Sequence, residues 1–279
     1  MDFTTDPAAR TAWIVVAVLG TALAVKILGA HRRSGYTVLQ SLLYLTNRLF
    51  SRVLWRTTIS GRLPVADSQG AVIVCNHSSG IDPCLIQLCT DRVVHWMVAR
   101  EYYEAPGMSI VFRALGSIPV NRAGIDTAAT KTAIRLAQQG GLVALFPEGR
   151  VNLTDALLLP GRPGAALIAL KARVPVIPCY VSGAPYDGTA LGSLLMPGNG
   201  HVMVGQSIDL SEYYDREGDK TVLGDLTKKF LIEIAKLAGV DNFEPKLAGK
   251  HWKPGLEDQN GDNSSDVAGP NEIRAVSAN

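Results

Sequence analysis

Residues 72–83 read VIVCNHSSGIDP, and no other stretch constrains the fold of this chain as strongly. A short run of Val and Ile bounded by polar residues predicts a buried strand, which delivers Asn76 and His77 into a Ser-Ser-Gly turn at its carboxyl end. Asp82 follows five residues after the histidine and stands directly before Pro83. Asp then Pro is also a helix-start signature, with the carboxylate as N-cap and proline at the first helical position. Strand, turn and helix start within twelve residues put an imidazole and a carboxylate at the lip of a sheet, where open α/β sheets bind ligands. Two readings of the pair stay open at this level. In one, Asp82 orients the His77 ring and His77 takes a proton from an attacking group. In the other, Asp82 caps its helix and His77 is an ordinary turn residue.

The rest of the chain repeats this grammar. Apolar runs predict strands over 53–59, 71–76, 93–99, 117–120, 142–146, 176–181 and 201–204, and helical patterns predict helices over 83–89, 108–115, 126–139, 164–172 and 220–237. Alternation of this kind argues for an α/β fold, a three-layer domain with a largely parallel central sheet.

A membrane-anchoring helical segment is expected ahead of that domain. Residues 11–30, TAWIVVAVLGTALAVKILGA, form a nearly unbroken apolar run that as a helix extends about 30 Å. Lys26, its one charge, lies near the carboxyl end, where its amine can snorkel to the interface. His31, Arg32 and Arg33 follow the run, whereas Asp2, Asp6 and Arg10 precede it, so the positive-inside tendency puts the following domain on the cytoplasmic face. Residues 36–56 then carry apolar residues at helical spacing, with Arg48, Arg52 and Arg56 predicted on one ridge. Such a helix either lies in the headgroup layer or packs on the domain with a solvated charged face. The expected organisation is an anchor over 1–33, an interface helix and first strand over 34–60, the α/β domain over 61–250, and a disordered Gly, Asn, Asp and Ser-rich tail over 251–279.

Composition narrows the chemistry. A formal net charge of +2 over 279 residues gives no reason to expect nucleic acid as a partner. The four cysteines sit among apolar neighbours with no CxxC pair, and no HExxH or Cys/His cluster occurs, so reduced thiols and no metal are expected. Three further stretches break where strands are predicted to end: GSIPVNR at 116–122, LVALFPEGR at 142–150, and LPGRPGAA at 159–166, which puts Arg162 in a turn opening a helix. Free amides at a helix start beside a guanidinium suit a phosphate. All three breaks are expected on the same sheet edge as His77.

Taken together, these blocks resemble the glycerolipid acyltransferase family typified by lysophosphatidic acid acyltransferases. NHSSGID at 76–82 resembles the first block of that family, which makes His77 and Asp82 the implied catalytic pair. GSIPVNR resembles the second, with Arg122 at the arginine used for the acceptor phosphate. FPEGR at 146–150 resembles the third, placing Glu148 and Gly149 in the acceptor site, and VPVIPCYV at 174–181 is similar to the fourth through Pro178. The similarity extends over about residues 36–210. It implies transfer of a fatty acyl group from acyl-CoA or acyl carrier protein to the free hydroxyl of 1-acyl-glycerol-3-phosphate at a membrane, with no cofactor beyond that co-substrate. Arg150 and Arg162 join Arg122 as expected phosphate ligands, and Glu148 is expected to orient the acceptor hydroxyl or brace an arginine.

Two departures mark the chain. Gly149 is followed by Arg150, Val151 and Asn152 where Thr, Arg and Ser are common, and Asn121 stands where an acidic residue often precedes the arginine. The first resembles members that accept lysophospholipids with larger head groups, such as lysophosphatidylethanolamine. Rival readings are an acyl-enzyme formed on Cys75 or Cys84, a hydrolase, for which the GxSxG elbow is missing, and a catalytically inactive lipid-binding protein.

Overall fold

Buried on both faces, a parallel strand has no polar side to show, and residues 71–75, AVIVC, have none. In the computed structural model, which describes residues 7–121 and 126–249, this segment is the middle strand of a seven-stranded sheet. The strands are β1 (Thr58–Ser60), β2 (Ala71–Cys75), β3 (Val94–Ala99), β4 (Ile118–Val120), β5 (Leu142–Leu145), β6 (Val176–Ser182) and β7 (His201–Val204). The helices are α1 (Pro7–Ser34), α2 (Val38–Val53), α3 (Asp82–Gln87), α4 (Arg100–Tyr103), α5 (Met108–Ala114), α6 (Thr127–Gln138), α7 (Gly164–Ala172), α8 (Ala190–Leu195) and α9 (Lys220–Leu237). Strand order is β1-β7-β6-β2-β5-β3-β4, and every neighbouring pair is parallel except β6 with β7.

Alternate residues of the strands feed two cores, as the period-2 pleat requires. Val72, Val74, Val143 and Val176 face a layer of α6, α7 and α9, where Phe230, Leu231 and Ile234 are fully buried. Ala71, Ile73, Cys75, Ala144, Ile177 and Cys179 face the other layer, built from Leu85 and Ile86 of α3, Trp55, and Phe50 and Leu54 at the end of α2. The three-layer, largely parallel α/β arrangement therefore follows from strands that are apolar on both faces.

The predicted strand over 53–59 is corrected to Thr58–Ser60, because the apolar residues before it continue the helical period of α2. That helix opens with a capping box: the Thr37 hydroxyl accepts from Gln40 N at 3.2 Å, and Gln40 Oε1 accepts from Thr37 N at 2.9 Å. Arg48 and Arg52 are exposed on α2, but Arg56 lies beyond it with φ 42°, so the expected ridge of three arginines is a pair.

Residues 11–30 are helical within α1, yet among the described residues no helix is long and apolar enough to cross a membrane. What α1 offers instead is an exposed apolar surface that includes Trp13, Ile14, Val18, Leu19 and Leu28. Asp2, Asp6, Arg122 and the tail from 251 lie outside the described residues, as do the side chains of Arg10, Lys26, His31, Arg32 and Arg33. The first compact unit closes at Leu247, and of the second, Ala248–Asn279, only Ala248 and Gly249 are described.

Candidate active site

The site begins where β2 stops pairing through its own backbone. Cys75 is the last β2 residue in register with β6, opposite Cys179. At the next position the Asn76 side chain takes over: its Oδ1 accepts from Val181 N at 2.7 Å and its Nδ2 donates to Val181 O at 2.8 Å. A carboxamide matches a peptide group in donor and acceptor, so the sheet edge stays satisfied while the main chain turns out of it. His77 is thereby lifted to the carboxyl edge of the sheet, with its side chain 16% exposed.

Three bonds fix His77. Its backbone N–H donates to Glu148 Oε1 at 2.8 Å, its carbonyl accepts from Asn152 N at 2.7 Å, and its ring Nδ1 lies 3.0 Å from Asp82 Oδ2. Asp82 is completely buried, and the same Oδ2 accepts from the amides of Ser78 and Ser79, both at 2.8 Å. A carboxylate that accepts from two amides makes Nδ1 the protonated ring nitrogen, which leaves the lone pair on Nε2. The expected capping role of Asp82 is corrected here. Helix α3 has Ile81 at its N-cap and no side-chain cap bond, because the Asp82 carboxylate turns back to the Ser-Ser turn.

One face of the imidazole is covered. The Phe146 ring lies parallel to it, with centroids 3.6 Å apart and planes within 1°, and Trp96 stacks on Phe146 at 4.7 Å and 28°. Phe146 ends the β5 run and starts the turn closed by Gly149 N donating to Phe146 O at 3.0 Å. Gly149 has φ 72°, a conformation that a Cβ disfavours.

Glu148 is 1% exposed and bridges two backbone amides, His77 N through Oε1 and Leu159 N through Oε2 at 2.8 Å. Through these two bonds it ties the histidine turn to the loop before α7. Burial pushes its carboxyl up to about 7, against the pull of the two amide bonds and with a further push from the Asp82 charge.

Arg162 N donates to Pro147 O at 2.9 Å, and its Nε and Cδ pack over Gly149, 3.4 and 3.5 Å from where a Cβ there would stand. Arg150 is exposed on the same turn. The fold thus gathers His77, Asp82, Glu148, Gly149, Arg150 and Arg162 around the ends of β2 and β5. Arg122 lies outside the described residues; its neighbour Asn121 is exposed past β4, the far edge strand, where its N–H donates to Asp126 Oδ2 at 2.9 Å. A cavity of about 270 Å³ opens beside the histidine, lined by His77, Glu148, Asn152, Thr154, Leu157 and Tyr180 among others.

The thiols stand apart from this chemistry. Cys75 is fully buried, its Sγ donates to Asn76 Oδ1 at 3.4 Å, and burial raises its pKa well above the ordinary thiol value. Burial likewise lifts Cys84 to about 11. Neither is a thiolate near neutral pH.

Comparison with known proteins agrees with this geometry. A family model described as acyltransferase matches residues 56–182, which include the His77, Asp82 and Glu148 positions. The 1-acyl-sn-glycerol-3-phosphate acyltransferase of Bacillus subtilis is 27% identical over 150 residues, covering 53% of this chain and 71% of that protein. The human 1-acyl-sn-glycerol-3-phosphate acyltransferase beta is 30% identical over 120 residues, 42% of each chain. The crystal structure of the 1-acyl-sn-glycerophosphate acyltransferase PlsC from Thermotoga maritima superposes with a TM-score of 0.57 at 18% identity, covering 84% of this chain and 95% of that one, a likeness of fold. Residues 56–182 thus match the acyltransferase family, and the relatives that share this stretch include 1-acyl-sn-glycerol-3-phosphate acyltransferases.

Proposed function

We propose that this acyltransferase moves a fatty acyl group from a thioester, acyl-CoA or acyl carrier protein, to the free hydroxyl of 1-acyl-glycerol-3-phosphate. The observation that carries the reading is the 3.0 Å contact of His77 Nδ1 with buried Asp82, which leaves Nε2 as the basic nitrogen on a ring that lines the cavity. The names of the Bacillus and human relatives support the acceptor.

An alcohol must lose its proton as it attacks, and a positioned base contributes roughly two to four orders of magnitude. The acceptor oxygen bonds to the thioester carbonyl carbon while its proton passes to His77 Nε2. Asp82 stabilises the imidazolium without taking its proton. Collapse of the tetrahedral oxyanion breaks the C–S bond, and the departing thiolate recovers the proton from Nε2. The thioester is itself the activated group, so no further cofactor enters the scheme. Arg150 and Arg162, with Arg122, hold the acceptor phosphate, since planar guanidinium donors match phosphate oxygens. Glu148 acts from behind, by fixing the backbone of His77.

We place the site at a membrane surface, on its cytoplasmic face. Exposed Val38, Leu39, Leu42, Leu49 and Val53 on α2, the apolar surface of α1, and the exposed Arg48 and Arg52 support contact with anionic lipid. A lysophospholipid with a larger head group is the alternative acceptor, favoured by Asn152 and Thr154 in the cavity wall.

Incubation of the purified enzyme with labelled acyl-CoA or acyl carrier protein and a panel of lysolipids tests the reading. Labelled phosphatidic acid is the expected product. Labelled free fatty acid with no acylated lipid would turn the assignment to hydrolysis.

A further inference from the structure

We infer that Phe146 is a positioning residue for the transfer step, holding the His77 ring in the plane that its reaction requires. The inference rests on the reading of His77 as the base.

A histidine attached at one ring nitrogen keeps one freedom. The Nδ1 to Asp82 contact pins one corner of the imidazole, but the ring can still tilt about the line through that corner and Cβ, which swings Nε2 across the mouth of the cavity. Phe146 removes this freedom, because a phenyl ring at 3.6 Å and 1° leaves no room for tilt toward its side. Phe146 cannot yield in turn: Trp96, 6% exposed, is stacked on it. The three rings form a column running from the core beneath β3 and β5 to the site.

The column also keeps water from one face of the imidazole. Any imidazolium formed during transfer then rests against the negative face of a π system, an attractive contact in a partly buried site. The backbone supports the same arrangement. Gly149 N donates to Phe146 O and Glu148 Oε1 accepts from His77 N, so the two stacked residues are held at their main chains as well as their rings.

The test is a comparison of Phe146→Leu and Phe146→Tyr in the full-length enzyme, with kcat and both KM values measured and folding followed by circular dichroism. A misplaced base costs rate without costing ground-state binding. Phe146→Leu is expected to lower kcat roughly 10- to 100-fold with both KM values unchanged, and Phe146→Tyr to keep kcat within about 2-fold. In enzyme with isotopically labelled histidine, the ring protons of His77, shifted upfield by the stacked phenyl, are expected to move downfield in Phe146→Leu alone. A Leu variant with unchanged kcat, or a loss that Tyr does not rescue, overturns the inference. Should Phe146→Leu fail to fold, Trp96→Phe, which shortens the backing ring, is read the same way: a lower kcat at constant KM supports the column and an unchanged kcat overturns it. His77→Ala measured alongside separates the two claims, since full activity in that variant refutes the base itself, whereas its loss beside an unaffected Phe146→Leu refutes the stacking role alone.

Discussion

The carboxylate of Glu148 reaches 71 residues back along the chain to the amide of His77, at 2.8 Å, while its other oxygen holds the amide of Leu159. Its burial sets up a pH dependence of stability. The carboxyl is raised from its ordinary value near 4.5 to about 7, so between these values the folded protein keeps a proton that the unfolded chain has released. The stabilisation from that proton is complete below about 4.5 and lost as pH rises through about 7, amounting to at most about 3 kcal/mol. Glu148→Gln carries no such proton. The thermal midpoint of the wild type relative to Glu148→Gln is expected to fall between pH 5 and 8, and parallel profiles would contradict the assignment.

Asn76 makes two bonds that no apolar residue can replace, both to Val181. Truncation to Ala leaves a buried N–H and a buried C=O unpaired, each costing about 1–3 kcal/mol. A loss of about 2–4 kcal/mol in urea unfolding is expected for Asn76→Ala, and a loss under about 0.5 kcal/mol would mean that the clamp is replaceable.

Cys75 is buried and Cys84 half-buried, and both are neutral thiols. Cys84→Ala and Cys75→Ala are each expected to keep kcat within about 3-fold, and iodoacetamide at pH 7.5 to leave turnover unchanged. Trapping of an acyl-cysteine would instead point to a covalent route.

Asp82→Asn keeps the size of the side chain and removes the charge facing Nδ1. Turnover is expected to fall roughly 10²- to 10⁴-fold with folding retained, read as kcat at saturating substrates beside the circular dichroism spectrum. Full activity would show that the carboxylate serves only the amides of Ser78 and Ser79.

Much of this architecture is legible in the sequence. Strands buried on both faces announce themselves as apolar runs, which is why β2, β5 and β6 fall where the pattern puts them. Where local signals compete, the reading fails. Asp82 before Pro83 looks like a helix cap, but the Ser78 and Ser79 amides, together with the His77 ring, outcompete the helix for its carboxylate. Val53 and Leu54 close the last turn of α2, with Leu54 N donating to Phe50 O, although they begin an apolar run that reads as a strand. The partners of Glu148 and the ring facing His77 depend on tertiary contact between β2 and β5, and no spacing encodes that. Phe146 gives only one signal, an aromatic at the end of a strand beside a carboxylate turn, and that pattern has no unique meaning.

The base assignment is tested most directly by the turnover number of His77→Ala, assayed with acyl-CoA and 1-acyl-glycerol-3-phosphate on protein whose circular dichroism matches the wild type. A fall of at least about 100-fold is expected, with no restoration by Cys or Ser at that position. Turnover within about 3-fold of wild type would contradict general-base transfer at this site.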